Sequence, residues 1–72
     1  MSYKIWCKQR LQYFADGDEF ESLEQIKTQL ISYHSIDMDD KTLKQIKRMP
    51  LREILEAFEW EVHNDEEQPM EV

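Results

Sequence analysis

The chain has one glycine, Gly17, and one cysteine, Cys7, among 72 residues. A single glycine cannot build the glycine-rich loop that cradles phosphates, so most nucleotide-using enzymes are excluded. A single thiol allows no internal disulfide and no zinc-ribbon spacing. No apolar stretch is long enough to span a membrane. The opening "MSYKIWCKQR" lacks the apolar block and small-residue cleavage site of a secretory signal. A reducing cytosol is the compartment these features suggest.

Positive charge is also scarce. Sixteen acids face nine bases, for a net charge of −7. The distribution is uneven. Residues 16–24 hold five acids and no base, and residues 41–52 hold five bases and no acid. Such separation favours binding to a protein, or to a second copy, over broad attraction to nucleic acid. Residues 64–72, "NDEEQPMEV", carry four acids, no base and no apolar periodicity. They read as a disordered acidic tail behind one small domain, residues 1–63.

What is present is a workable core. Forty per cent of residues are apolar, and two Trp, three Tyr and three Phe are among them. A chain this short retains only about 3–5 kcal/mol of stability, so self-association is a plausible support. "YKIWCKQRLQYF" alternates, with Tyr3, Ile5 and Cys7 on one face and Lys4, Trp6 and Lys8 on the other. Asp16-Gly17 is the strongest hairpin signal and predicts Leu11–Ala15 paired with Asp18–Glu21. "SLEQIKTQLISYH" predicts a helix capped by Ser22, with Gln25 placed for a capping box. Asp37 or Asp39 can cap a second, short helix through "KTLKQIKR". Pro50 suits the first position of a third, whose stripe is Leu51, Ile54, Leu55 and Phe58. At Phe58 the period changes from helical to alternating. That predicts a last strand over "EWEVH", residues 59–63. The alternative is a helix continued to His63, with Trp60 exposed or in an interface. The strand would pair with "YKIWCK" and set Glu59 and Glu61 opposite Lys4 and Lys8. The fold class is α+β: a small antiparallel sheet, N-terminal hairpin plus C-terminal strand, against two or three short helices.

No catalytic set emerges. "DMDDKT" has Lys41 where a calcium loop needs a ligand, and lacks its glycine. Cys7, His34 and His63 are too scattered for zinc, so no metal or cofactor is expected. "SYHSID" contains Ser, His and Asp, but neighbours on a helix do not face each other. Only His34 and Asp37 can meet, which would favour a charged histidine at a helix C-terminus. Tyr33 is expected inward or at the rim. Two partner-binding candidates remain. Trp6 and Trp60 are natural hot-spot residues, although both can equally pack in the core. Lys41, Lys44 and Arg48 form a helical stripe flanked by Lys47, without the Asn, Gln or Arg cluster that reads bases.

"FESLEQIKTQLISYHSID" followed by "LREILEAFEWEV" resembles small uncharacterised proteins of phages and mobile elements of Gram-positive bacteria. The shared traits span most of residues 3–62: an aromatic first strand, a Ser-Leu-Glu helix start, a Tyr-His segment and an acidic end with a Trp. The resemblance implies a non-enzymatic accessory protein that binds and modulates a host protein in the bacterial cytoplasm. The basic run Lys41–Arg52 departs from any single shared mode. It keeps alive a nucleic-acid-linked regulator, and the acidic surface keeps alive a DNA mimic.

Overall fold

The computed structural model describes residues 2–72. The chain forms β1 (Lys4–Cys7), β2 (Gln12–Tyr13), α1 (Leu23–His34), α2 (Asp40–Arg48), α3 (Leu51–Phe58), β3 (Trp60–His63) and β4 (Pro69–Met70). The four strands make one antiparallel sheet in the order β2-β1-β3-β4. The three helices lie between β2 and β3 in sequence. The protein is α+β, as the alternation and the helical stripes indicate.

The central ladder pairs Ile5 with Val62 and Cys7 with Trp60. Alternation sends these four side chains to one face, where they join Ile26, Leu30, Ile46, Leu51, Ile54 and Leu55 in the core. Lys4, Trp6, Glu61 and His63 take the other face. Glu61 reaches Lys8, at 4.0 Å, whereas Lys4 pairs with Glu67 at 3.3 Å. Glu59 makes neither pair: it ends α3 in the left-handed region, at φ 61°.

Helix ends follow local chemistry. The Ser22 hydroxyl accepts from the Gln25 amide, and the Gln25 side chain accepts from the Glu21 amide rather than from that of Ser22. Asp39 caps α2 by accepting from the Thr42 amide at 2.8 Å. Hydrogen bonding from Thr42, first from its side chain and then from its amide, holds the Asp39 carboxyl below the usual range. Pro50 stands one position earlier than expected. It is the N-cap of α3, at ψ 151°, and not its first helical residue.

The hairpin expected at Asp16-Gly17 is not there. The chain reverses at residues 8–11, where the Leu11 amide donates to the Cys7 carbonyl and Leu11 sits at φ 53°. Residues 12–13 pair with β1 instead of with residues 18–21. Ala15, Asp16 and Gly17 are all left-handed and make a tight excursion. Phe20 then returns to bridge Tyr3, at 2.7 and 2.8 Å. In this arrangement Phe14 and Phe20 both pack against the core.

Residues 64–72 also differ from expectation. The Asn64 side chain accepts from the amides of Glu66 and Gln68, closing a turn. Beyond it Met70 pairs with Val62 and packs on the core, as does Val72. Two apolar residues at the far end are enough to fold an otherwise acidic segment back on the sheet.

Relief of the left-handed strain at Glu59 is directly testable. Glu59→Gly should stabilise the fold by about 1 kcal/mol, because a side chain costs about 1–2 kcal/mol in this region. The melting temperature should rise by about 4–8 °C in thermal unfolding. In contrast, Ile54 is fully buried. Ile54→Ala should cost about 2–5 kcal/mol and leave little cooperative unfolding to observe.

Candidate functional site

α1 and α3 both end at the same corner of the molecule. The left-handed turn at Glu59 swings the chain from α3 into β3 and aims Trp60 under the end of α1. There the Trp60 indole N–H donates to His34 Nε2 at 3.0 Å. The His34 ring stacks on Phe58, with centroids 4.0 Å apart. Tyr33 stands edge-on to Phe14, His34 and Trp60, at 5.4, 5.1 and 5.9 Å. Such perpendicular contacts are the favoured geometry for aromatic rings. Ser35 closes the helix by donating its hydroxyl to the Ser32 carbonyl at 2.8 Å.

Two hollows open at this corner. One, of about 280 Å³, is lined by Cys7, Arg10, Phe14, Tyr33, His34 and Trp60, among others. The second, of about 440 Å³, is lined by Tyr33, His34, Ile36, Asp37, Met38 and Phe58. Tyr33, His34 and Phe58 belong to both, so the hollows adjoin at a shared wall, and together they make up the groove at the end of α1. Two of the most exposed large apolar residues, Ile36 and Tyr33, line it. Ile36 is 85% and Tyr33 43% exposed, and Leu11, 73% exposed, lies between the lining residues Arg10 and Gln12.

The electrostatics of His34 reverse the sequence expectation. No ion pair joins it to Asp37 among the described residues. Burial instead pushes its pKa below the ordinary value of 6.5. The hydrogen bond agrees: to accept from Trp60, Nε2 must carry a lone pair, so the neutral ring bears its proton on Nδ1. A second proton would set N–H against N–H.

The sequence-derived candidates disperse. Trp60 is 7% exposed and belongs to the core, forming the floor of the groove. Trp6 is half-buried on the helix-free face of the sheet. It stacks on His63 at 5.3 Å and meets Tyr13 edge-on at 4.9 Å. His63 there links Tyr13, at 2.9 Å, to Glu61, at 2.8 Å. One neutral tautomer satisfies both bonds, with Nε2–H donating to Glu61 and Nδ1 accepting from the Tyr13 hydroxyl. Desolvation, and then the Glu67 carboxylate, raise the pKa of Tyr13 against the opposing charge of Lys4. His63 lines none of the hollows described, so this chain of bonds ties strands together. Lys41, Lys44, Lys47 and Arg48 are all exposed along α2, and none makes an ion pair among the described residues.

Ile36 gave no periodic signal in the sequence, and Leu11 was read as the start of a strand, whereas it sits in the turn after β1. Among the described residues no group of three or more His, Cys, Asp or Glu side chains could hold a metal ion. No helix there is long and apolar enough to cross a membrane. No family model matches the chain, and no curated protein or solved structure matches it.

The depressed pKa of His34 sets a pH dependence. The native state binds fewer protons than the unfolded chain, so stability is complete above pH 6.5 and declines as pH falls from there through the native pKa. His34→Gln keeps an acceptor for Trp60 but cannot protonate. Thermal unfolding between neutral and mildly acidic pH should show a smaller loss for this variant than for the native chain.

Proposed function

We propose that this protein is a non-enzymatic interaction module, and that the groove at the C-terminal end of α1 is its recognition surface. One observation carries the reading: two hollows share Tyr33, His34 and Phe58, the exposed Tyr33 and Ile36 line them, and the exposed Leu11 is next in sequence to the lining residues Arg10 and Gln12. Exposed apolar residues around a concave aromatic centre are the usual anatomy of a protein-binding surface. The rings are already locked by mutual packing and by the Trp60–His34 bond, so little side-chain freedom is lost on binding. The partner is a host protein. The chain then acts as a small accessory protein of the phage or mobile-element kind, in the bacterial cytoplasm and without a cofactor. The resemblance over residues 3–62 supports that setting.

A second reading has its own observation. In a chain with 16 acids, the four bases of α2 stay exposed and make no ion pair among the described residues. They offer a docking stripe for nucleic acid, with salt-sensitive binding. Mimicry of DNA by the acidic surface and pairing with a second copy complete the set.

The readings separate by substitution. Ile36 is largely exposed, so Ile36→Asp should leave stability within about 0.5 kcal/mol. It should weaken binding of a partner identified by affinity capture at least about tenfold, a loss of about 1.4 kcal/mol. Leu11→Asp should act alike. Reversing charge at Lys41, Lys44, Lys47 and Arg48 should leave that binding intact. Partner binding indifferent to both groove variants rules out the groove, and a low-salt DNA gel shift abolished by the charge reversal would establish the α2 stripe instead.

A further inference from the structure

The smaller hollow says more than that something binds. Its volume of about 280 Å³ exceeds the roughly 150 Å³ cavity that accepts a benzene ring, so there is room for a ring and a short tail. Its walls include Phe14, Tyr33, Phe58 and Trp60, which offer faces and edges to a flat guest. Its charge is unusual for this molecule. The chain has 16 acids, yet among the described residues none lines this hollow, and Arg10 is the one charged residue that does. Arg10 makes no ion pair among the described residues, which leaves its guanidinium free for a bidentate carboxylate. A second donor belongs to another lining residue, His34. His34 accepts from Trp60 through Nε2, so its Nδ1 bears the proton, and no protein acceptor among the described residues takes it.

We propose that this hollow binds an aromatic carboxylate, with the ring against Phe14, Tyr33 and Phe58 and the carboxylate at Arg10 and the Nδ1–H of His34. Two sources share that chemistry: a free aryl-alkyl acid, and the C-terminal aromatic residue of a peptide. An organic cation would also favour aromatic walls. Here it would sit beside Arg10 with no carboxylate in the lining. The assignment rests on the reading of the groove as a recognition surface and adds the class of group that enters it.

The test is a titration of the full chain, followed by amide and indole chemical shifts in nitrogen-15 NMR. 3-Phenylpropionate should saturate, with shifts centred on Trp60, Tyr33 and residues 10–15. 3-Phenylpropanamide should bind at least tenfold more weakly, and phenethyltrimethylammonium should not compete. Arg10 is exposed, so Arg10→Gln leaves the fold intact and should reduce affinity for the acid at least tenfold, with Arg10→Lys recovering part of it. A short peptide ending in phenylalanine, with a free or an amidated C-terminus, distinguishes the sources. Tighter binding by the free-ended peptide than by 3-phenylpropionate assigns the hollow to a chain terminus, and the reverse assigns it to a small acid. Equal binding of acid and amide, preference for the cation, or indifference to Arg10→Gln overturns the proposal. If that happens while Ile36→Asp still abolishes partner binding, the ligand class is wrong and the recognition surface stands.

Discussion

The ladder between β1 and β3 joins residues 4–7 to residues 60–63, and the rest of the structure depends on it. It closes nearly the whole chain into one loop, an entropic cost that only buried apolar contacts can offset. Ile5 and Val62 provide them, each almost completely hidden. β2, β4 and the Phe20 bridge are too short to stand alone and exist because this pair is already in place. The helices share its core, since Ile26, Leu30 and Ile54 are buried in one cluster with Ile5, Cys7, Trp60 and Val62.

The same ladder builds the site. Register places Trp60 opposite Cys7, with its indole on the helical side, and the end of α1 lies over it. A buried indole N–H needs an acceptor, and His34 supplies one. That bond, with the stacking on Phe58, fixes both the protonation of the histidine and the shape of the groove. The recognition surface is therefore an outcome of satisfying a core residue at a helix end, and its rings are rigid for that reason.

Much of the fold was legible because its signals are local. Ser22 before an apolar stripe, Asp39 before "KTLKQIKR", Pro50 before Leu51, and the change of period at Phe58 all act within a few residues. Each corresponds to an observed boundary within a residue or two. The failures share a cause. Asp16-Gly17 does adopt positive φ, but as part of an excursion whose ends are held by β1, a partner distant in sequence. The acidic tail folds because Met70 and Val72 find the core, although its composition points to disorder. Of the candidate residues, Trp60 came to the site as its floor. Trp6 and the α2 bases did not come to it, while Tyr33 lies at its rim and Ile36 lines it without any periodic signal.

The sequence by itself determined the class and the helices, and pointed to the last strand while leaving a helix continued to His63 open, because caps, prolines and hydrophobic period operate over one or two turns of chain. It also determined the separation of charge and the absence of a phosphate loop, which are matters of composition. Only the tertiary structure decided which strand β2 joins, that residues 64–72 fold back, and that His34 is neutral beside Trp60 and not charged beside Asp37. Those choices turn on which buried groups find partners across long separations in sequence. Local pattern carries no information about that.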